Sequence, residues 1–403
     1  MIPNYTSIRL EVTSKCNLNC AYCHNAQHSN QRSDMTTEEI IQLIRNLKRE
    51  HNIKKILLTG GEPLVKHDIC DIIAEVTRLG IKADMVTNGT LLTEELLHKL
   101  EAAGLKRIRI SIDEVGDTTS VRGTSSPNQI WDIARMVVER SGIELCVHTV
   151  CSPYNVKNLY QVYKKVLEIG ARRWRVFDLG YQGDFTDRHD FFDLTTYYDD
   201  IISATQEILS DYLPNGRKDV LDIEINNIFR TQFLDMNPDD FATFELHQQE
   251  EYEARLESSP CEYVSLHQLS IRSNGVGTLC QYFHNPIFDF GSAGLDVKVA
   301  EENVEPHEEF TLKMADLPHC SKCKYCMNCN SGCRARAKFL TGDIKDADPV
   351  ACYLHPMVHE KVMSMLPQYV QDIYSGYLLK DGLEPKYSKE DLVEILRRSG
   401  YNA

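Results

Sequence analysis

The chain has 403 residues, of which 42% are hydrophobic and 26% are charged, and these values suit a globular protein with one large domain and a smaller one. Its net charge of -15 argues against nucleic-acid binding, because that requires a basic surface. No stretch approaches the ~20 apolar residues of a membrane span, and no secretory signal opens the chain. We therefore expect a cytoplasmic protein that has no membrane partner.

Strand-like and helix-like segments alternate from Ser7 to about Leu179. The predicted strands are Ser7–Val12, Lys54–Thr59, Lys82–Thr87, Arg107–Ile112, Glu144–Val150 and Trp174–Leu179. The predicted helices are Thr37–Glu50, Asp68–Leu79, Thr93–Ala103, Pro127–Arg140 and Val156–Ile169. Repeats of this length predict parallel strands joined by right-handed crossovers. Six units are too few to close an eight-stranded barrel, so the expected fold class is α/β with a partial (β/α)6 TIM-like barrel.

The rest of the chain differs in composition. Acidic and aromatic residues dominate from Tyr181 to Ser259, where Tyr197–Leu213 is a predicted helix. A cysteine-rich region follows from Cys261 to Cys352, and His355–Tyr377 and Lys389–Ser399 have helical patterns. We expect the barrel over residues 1–185, a helical connector that lines the substrate cavity over 186–259, a cysteine-rich domain over 260–360 and C-terminal helices over 361–403.

The fourteen cysteines are unevenly distributed, and eleven of them lie in two zones, 16–23 and 261–352. In a reducing compartment, closely spaced cysteines indicate metal sites rather than disulfides. The other three, Cys70, Cys146 and Cys151, stand alone in apolar or mixed segments, and we interpret them as small buried hydrophobic residues.

Cys16, Cys20 and Cys23 directly follow the first predicted strand. Three thiolates on one loop, separated by three and two residues, can hold three irons of a cubane cluster and leave the fourth open to a small molecule. Zinc is the alternative, with His24 as an available fourth ligand, but structural zinc sites favour paired Cys-x2-Cys elements. The spacing favours the cluster.

The Cys-x3-Cys-x2-Cys loop, with Tyr22 before its third cysteine, resembles that of the radical S-adenosylmethionine (radical SAM) enzymes. The resemblance implies that the open iron binds S-adenosylmethionine and that its cleavage gives a 5′-deoxyadenosyl radical. Other family elements follow successive strands, and the implied cofactor-binding residues are Tyr22, Gly60, Gly61, Glu62, Pro63, Thr87, Asn88, Ser111, Asp113 and Arg122. By resemblance, Ser111 and Arg122 hold the methionine carboxylate and Asp113 supports the site. The Gly-Gly-Glu-Pro turn can approach closely and accept bonds from the ammonium group.

The second cysteine region resembles the SPASM extension of radical SAM enzymes. Thirteen residues separate Cys261 from Gly275 and four separate Gly275 from Cys280, after which come Cys320-x2-Cys323-x5-Cys329-x3-Cys333 and Cys352. The resemblance implies two auxiliary 4Fe–4S clusters, an outer one on Cys320, Cys323, Cys329 and Cys352 and an inner one on Cys261, Cys280 and Cys333. A zinc ribbon built on Cys320-x2-Cys323 and Cys326-x2-Cys329 is the alternative.

Two features depart from the best-known members. No eighth cysteine stands between Cys151 and Cys261, so the inner cluster has an open iron or another ligand such as Glu262, and Cys326 is an additional thiol. Gln281 stands where sulfatase-maturating relatives carry a catalytic acid, and an amide cannot accept a proton near neutral pH. Asp178, Asp184 and Asp187 are alternative bases, although each is first interpreted as a solvated loop carboxylate. The weak catalytic candidates are thus Asp178, Asp184 and Gln281.

The resemblance implies a radical SAM oxidoreductase that abstracts a substrate hydrogen and oxidises or cross-links a ribosomally made peptide or protein. A dehydrogenase or epimerase acting on a sugar, aminocyclitol or other small molecule is the alternative, and it gains weight because no leader-binding domain fits before Ser7. The remote alternative is a non-catalytic multi-cluster electron carrier. A low-potential donor such as flavodoxin or ferredoxin is the expected electron partner.

Overall fold

The computed structural model describes residues 4–23, 33–116, 122–123, 126–180, 194, 196–226, 228–237, 248–283, 285–302, 304 and 307–401. Across these residues a single sheet of eleven strands forms the centre of the molecule. The strands are β1 (Ser7–Glu11), β2 (Lys55–Thr59), β3 (Lys82–Thr87), β4 (Arg107–Ser111), β5 (Glu144–Val150), β6 (Arg173–Phe177), β7 (Asp222–Ile225), β8 (Phe229–Arg230), β9 (Gln268–Ile271), β10 (Val276–Thr278) and β11 (Phe288–Asp289).

The sheet runs in the order β11-β10-β9-β1-β2-β3-β4-β5-β6-β7-β8 and has two open edges. Strands β1 to β6 pair in chain order and in parallel, which confirms the α/β class and the open, barrel-like sheet. Two further parallel strands extend it: β7 pairs with β6, and β9 pairs with β1. The sequence pattern did not predict these two, because strands of four residues carry too little periodicity. They come from the predicted connector and cysteine-rich regions, so the sheet itself crosses the predicted domain boundaries.

The helices of the first half are close to their predicted bounds. They are α1 (Thr37–Glu50), α2 (Ile69–Arg78), α3 (Glu94–Ala102), α4 (Pro127–Arg140) and α5 (Leu159–Glu168). Thr36 and Glu39 form a complete capping box at the start of α1, and Thr93 caps α3. A short 3-10 turn, Val156–Asn158, precedes α5 where the sequence predicted one continuous helix.

Ten more helices lie in the described part of the second half. They are α6 (Tyr197–Tyr212), α7 (Gln248–Glu257), α8 (Glu262–Ser265), α9 (Val297–Glu302), α10 (Glu308–Thr311), α11 (Cys326–Cys329), α12 (Arg334–Thr341), α13 (Pro349–Met357), α14 (Gln368–Gly376) and α15 (Lys389–Arg398). The predicted helical segment His355–Tyr377 is helical over most of its length but is not one continuous helix: α13 already begins at Pro349, a π-helical turn and a 3-10 turn precede Pro367, and α14 begins after it. Proline removes a helical donor and clashes with the preceding turn, so the helix restarts there.

Alternation along the strands separates two faces. Ile8 and Leu10 of β1, like Ile108 and Ile110 of β4, are buried in the main hydrophobic core together with the apolar faces of the covering helices. The intervening residues, such as Arg9 and Arg109, point to the opposite face, the concave side of the sheet. A smaller hydrophobic cluster, which includes Leu279, Met314 and Leu317, lies in the cysteine-rich region.

The three isolated cysteines lie in or beside the main core. Cys146 and Cys151 are buried, and Cys70 is half-buried and packs against the core from α2. The interpretation as small hydrophobic residues holds in full for the first two and in part for the third. Among the described helices, none is long and apolar enough to cross a lipid bilayer.

Candidate active site

A cavity of about 310 Å³ opens at the carboxyl ends of the parallel strands. This is the edge where ligands bind in sheets of this kind. Most of the predicted site residues line it: Cys16, Cys20, Tyr22, Cys23, Gly60, Gly61, Glu62, Thr87, Asn88, Ser111, Arg122, Asp178 and Gln281. Pro63 and Asp113 lie just behind this lining, where both are buried.

The first cysteine loop places its three thiols on one side of the cavity. Cys16 is exposed and Cys20 and Cys23 are half-buried, and the Cys23 amide donates to the Cys20 carbonyl oxygen at 3.2 Å. The pKa of Cys20 is raised to about 11, mainly by burial and in part by the neighbouring Cys23 and Cys16, while Arg122 opposes the rise. The three sulfurs are therefore close enough to influence one another. His24, the zinc alternative's fourth ligand, lies outside the described residues.

The glycine turn after β2 is packed directly against the backbone of this loop. The Gly61 amide donates to the Thr13 carbonyl oxygen, and the Glu62 amide donates to that of Lys15, both at 2.8 Å. A Cβ added at Gly60 would lie 2.4 Å from the Thr13 oxygen, and one at Gly61 would lie 2.2 Å from the Lys15 oxygen. Only glycine allows this approach. The turn thus fixes where the cysteine loop leaves the sheet.

Glu62 is fully buried and organises two strand ends. Its carboxylate accepts from the Leu64 amide at 3.0 Å, the Thr87 hydroxyl at 2.6 Å and the Asn88 amide at 2.7 Å. Burial raises the pKa of this carboxyl, and these donors lower it. Since an ionised carboxylate offers about four acceptor sites, about one remains for a ligand. Glu62 is first a positioning residue, and its predicted bond to an ammonium group stays a prediction.

Asn88 connects the strand-three loop to the cysteine loop. Its side-chain amide donates to the side-chain oxygen of Asn17, between Cys16 and Cys20, at 2.9 Å. Asn17 in turn donates to the Thr90 hydroxyl at 2.7 Å. Sequence reasoning did not single out Asn17. Its only signal was its place inside the cysteine triplet.

Tyr22, Asp113 and Arg122 form a charged cluster beside Cys20. The Tyr22 hydroxyl donates to Asp113, and the Arg122 guanidinium donates to Tyr22 at 2.8 Å and to Asp113 at 3.2 Å. Asp113 also accepts from the Val150 amide at 2.8 Å, which anchors the cluster to β5. Arg122 still lines the cavity, as does Ser111. Of the residues expected around the methionine carboxylate, Arg122 and Asp113 are thus in direct contact, and Ser111 lines the same cavity.

The end of β6 and the cysteine-rich region also line the cavity. Asp178, Gln281 and Tyr282 lie there, and Asp178 is only 9% exposed. Its carboxylate accepts from the Tyr197 hydroxyl at 2.8 Å and from the Arg336 guanidinium at 3.0 Å. The interpretation of Asp178 as a solvated loop carboxylate is therefore wrong. The carboxylate is buried after the end of β6 and has two hydrogen-bond donors, Tyr197 and Arg336, that the sequence pattern did not indicate. Asp184 and Asp187 lie outside the described residues.

Cys261, Cys280 and Cys333 come together behind Gln281. Burial, together with the nearby Cys333 and Cys261, raises the pKa of Cys280 to about 12. Cys280 lies between β10 and the cavity-lining Gln281, and the motif glycine Gly275 makes the left-handed turn (φ +83°) between β9 and β10. Glu262, the suggested fourth ligand, begins α8 and is exposed.

The outer set of cysteines lines one small cavity of its own. Cys320, Cys323, Cys326, Cys329 and Cys352 all border it. Burial raises the pKa of Cys329 strongly, and Cys352 and Cys320 raise it further. The additional thiol, Cys326, faces the same space as the four that the resemblance selects.

The donor sets suit a group larger than one ion. All fourteen cysteines are free thiols. Within the described ranges, no three or more His, Cys, Asp and Glu side chains are arranged to hold a single metal ion. Iron–sulfur clusters are held mainly by thiolates that surround several atoms, and the three cysteine sets supply such thiols. The residues present therefore fit clusters.

Comparison with known proteins identifies the first half. Residues 10–166 match the family model of the radical SAM superfamily. These residues are a radical SAM domain. The cavity described above lies within it and against the cysteine-rich region, and the resemblance read from the first cysteine loop is confirmed.

Curated relatives match only part of the chain. An AdoMet-dependent heme synthase of Methanosarcina barkeri is 32% identical over 177 residues, which are 43% of this chain and 50% of that protein. A GTP 3',8-cyclase of Paenarthrobacter nicotinovorans is 38% identical over 127 residues, 30% of this chain and 36% of that protein. The chain spans about half the length or less of the curated relatives it matches.

Solved structures match the fold over a longer span. SuiB of Streptococcus suis, bound to S-adenosylmethionine, superimposes with a TM-score of 0.61 at 16% identity and covers 86% of this chain and 77% of its own. The anSMEcpe enzyme with AdoMet and a peptide gives a TM-score of 0.64 at 15% identity, covering 91% of this chain and 99% of its own. At these identities the match shows a shared fold that extends well past the radical SAM domain.

Proposed function

We propose that the chain is a radical SAM oxidoreductase of the SPASM type, which cleaves S-adenosylmethionine, abstracts a hydrogen atom from a substrate and oxidises or cross-links it. The observation that carries this proposal is one cavity lined both by Cys16, Cys20 and Cys23 and by Gln281, the residue after Cys280. Substrate held there would have access to the radical-generating site and to the inner auxiliary site.

Cys16, Cys20 and Cys23 would hold the first cluster. Cys261, Cys280 and Cys333 would hold the inner auxiliary cluster, and Cys320, Cys323, Cys329 and Cys352 the outer one. When bound, the first cluster supplies the electron that cleaves S-adenosylmethionine to a 5′-deoxyadenosyl radical, and the auxiliary clusters supply acceptors for electrons from the oxidised substrate.

The surrounding residues position S-adenosylmethionine. Arg122 presents a guanidinium that suits a carboxylate, and Tyr22 and Asp113 hold it in place. Glu62 fixes the turn after β2 and the loop after β3, so that both approach the ligand from a rigid base. These positions deliver the cofactor to one end of the cavity and exclude water from that end.

Asp178 is the described carboxyl best placed to accept a proton from substrate. It lines the same cavity as Gln281, which cannot accept one. Burial raises the pKa of Asp178 above its usual value although Arg336 lowers it, so the carboxylate is a stronger base than a solvated aspartate.

A peptide or protein is the favoured substrate. Structures that share this fold over most of the chain include SuiB bound to its precursor peptide SuiA and anSMEcpe with a bound peptide. The named activities of the curated relatives instead concern GTP and heme, but their similarity spans less than half of this chain. A small molecule is therefore the second candidate. A cytoplasmic location and a flavodoxin or ferredoxin donor belong to the same proposal.

The substrate class is tested by incubating the reduced, cluster-loaded protein anaerobically with S-adenosylmethionine and candidate substrates. One arm contains short peptides encoded beside its gene, and the other contains nucleotides, sugars and aminocyclitols. We expect 5′-deoxyadenosine to rise with a peptide that loses two hydrogen atoms by mass spectrometry. Stimulation by a small molecule alone would overturn the peptide assignment, and the absence of cleavage in every arm would favour an electron carrier.

A further inference from the structure

The cavity has a basic floor that the proposed S-adenosylmethionine site does not use. We define the cavity floor as Arg9, Leu57, Arg109 and His148, all of which line the cavity. Three of them lie two residues before another lining residue of the same strand, namely Thr59, Ser111 and Val150. Residues two apart share a face, and the earlier one is about 7 Å further from the strand's carboxyl end. The floor thus lies one layer deeper than Ser111.

Two side-chain nitrogens on the floor are buried without a hydrogen-bond partner among the described residues. They are the Nε atom of Arg109, which is a donor, and the Nε2 atom of His148, which is a donor in one of the two neutral tautomers. One terminal nitrogen of Arg109 forms an ion pair with Asp84 at 3.0 Å, and the Arg109 side chain is 17% exposed. Arg9 donates to Glu11 at 2.9 Å and to the Thr59 hydroxyl at 3.3 Å. Buried polar atoms nearly always have partners, so an orphaned pair on a cavity wall points to a ligand that accepts hydrogen bonds.

Positive charge exceeds negative charge beneath this floor. A connected network of ion pairs joins six basic side chains to only four carboxylates: Lys55, Arg107, Arg109, Arg173, Arg175 and Arg230 with Asp84, Glu144, Asp222 and Glu224. Asp84 alone faces three of the cations at 3.0 to 3.4 Å. Arg9 and Arg272 likewise share Glu11.

The same excess acts on His148. Burial lowers the pKa of this imidazole far below its usual value, and the nearby arginines Arg109 and Arg175 lower it further. The side of the sheet beneath the floor is therefore electropositive, although the whole chain carries a net charge of -15. A field of this sign attracts anions and repels cationic groups.

We propose that the cavity floor binds an anionic group of the substrate, a carboxylate or a phosphate, through Arg9, Arg109 and His148. The inference rests on the proposed function only in taking this cavity as the substrate site. For a peptide substrate, the floor selects a segment that carries an acidic side chain or the terminal carboxylate. A guanidinium edge offers two parallel donors to either kind of anion.

The test is calorimetric titration of the full, cluster-loaded chain with S-adenosylmethionine present, using glutarate in one arm and inorganic phosphate in the other, with sodium chloride at equal ionic strength as the blank. We expect saturable 1:1 binding in at least one arm, and the tighter arm distinguishes carboxylate from phosphate. Arg109→Gln should weaken that binding by about tenfold or more, because bonds to charged groups are strong. Lys99→Gln removes an exposed cation that pairs only within its helix, with Glu95, and should bind the anion as the unaltered protein does.

Arg9→Gln is the second variant, and it keeps the test decisive if Arg109→Gln does not fold by circular dichroism. Binding of neither anion above the chloride blank would overturn the proposal, as would unchanged binding in folded Arg109→Gln or Arg9→Gln. Cleavage of S-adenosylmethionine is measured on the same preparation. Anion binding without cleavage of S-adenosylmethionine would count against the proposed function but support anion binding by the cavity floor. Cleavage without anion binding would support the proposed function and overturn the proposal for the floor.

Discussion

At the scale of single residues, the site depends on polar atoms that hold other residues in place. Glu62 illustrates this: its buried carboxylate accepts three hydrogen bonds, which come from Leu64, Thr87 and Asn88. The sequence predicted that Glu62 belongs to the site, because the turn after β2 resembles a known element. It could not show that most of its hydrogen bonds stay inside the protein, since that depends on the loop after β3 lying alongside.

Replacing Glu62 by glutamine tests this positioning role. An amide places a donor where the carboxylate accepted from an amide or a hydroxyl, so at least one buried hydrogen bond is lost. We expect the free energy of unfolding to fall by about 1–3 kcal/mol and S-adenosylmethionine to bind more weakly. Urea unfolding and equilibrium titration measure the two effects. The exposed Glu95→Gln serves as the control, and equal behaviour of the two variants would contradict the assigned role.

The spacing of the cysteines does not decide whether Cys326 is a ligand of the outer cluster. All five cysteines of the outer set face one cavity, whereas a 4Fe–4S cluster takes four thiolate ligands. We expect Cys326→Ser to retain the iron and sulfide content of the unaltered protein, and Cys329→Ser to lose about one cluster's share. Iron and sulfide analysis of anaerobically purified variants measures this. If Cys326→Ser loses iron and Cys329→Ser retains it, Cys326 is the cluster ligand and Cys329 is the additional thiol.

At the scale of elements, short loops locked to one another shape the mouth of the cavity. The backbone amides of Gly61 and Glu62, in the turn after β2, hold the start of the cysteine loop through two hydrogen bonds of 2.8 Å. Asn17 and Asn88 join the same loop to the end of β3. The position of the three thiols therefore depends on backbone approach as well as on the cysteines themselves.

Gly61→Ala tests the backbone approach, because its Cβ would lie 2.2 Å from the Lys15 carbonyl oxygen and the loop must move to relieve this contact. We expect loss of most of the first cluster's iron and of its electron paramagnetic resonance signal with S-adenosylmethionine, while the auxiliary clusters remain. Gly142→Ala is the matched control, since its Cβ meets only the flexible end of Glu101 at 3.0 Å. A Gly61→Ala protein with a full first cluster would refute the dependence.

Much of the sheet could be read from the sequence, and the reason is visible in its elements. Strands β1 to β6 are short apolar runs separated by amphipathic helices with good caps, so local pattern and tertiary structure agree. The strands β7 and β9 are four residues long and gain their identity only from pairing with β6 and β1. In β4 the alternation of Arg107, Arg109 and Ser111 was a visible signal for a charged inner face, and it could have indicated the cavity floor.

At the scale of the molecule, a buried ion-pair bridge joins the end of β6 to the cysteine-rich region. Arg336 of α12 donates to Asp178 after β6 at 3.0 Å and to both oxygens of Asp348 at 2.8 to 3.0 Å. Asp348 also accepts from the Cys333 amide at 2.8 Å. No sequence pattern predicted this bridge, because its two acids lie 170 residues apart in the chain.

Arg336→Met should be strongly destabilising, because it leaves two buried carboxylates without their cation. Removing one partner of such a buried pair costs about 3–5 kcal/mol, whereas Arg398→Met on the exposed face of α15 should cost far less. Urea unfolding of both variants measures this. Adding Asp178→Asn to Arg336→Met should recover part of the loss, and a double variant no more stable than Arg336→Met would contradict the coupling.

The central claim is that Cys16, Cys20 and Cys23 hold the site where S-adenosylmethionine is cleaved. Its most direct test is the yield of 5′-deoxyadenosine from the reduced, cluster-loaded protein, compared with a Cys16→Ala/Cys20→Ala/Cys23→Ala variant that keeps all eight cysteines of the second region. We predict steady release of 5′-deoxyadenosine by the unaltered protein and none by the variant, which should still contain the iron of the auxiliary clusters. Equal release by both proteins, or none by the unaltered protein with its clusters loaded and reduced, would contradict the account.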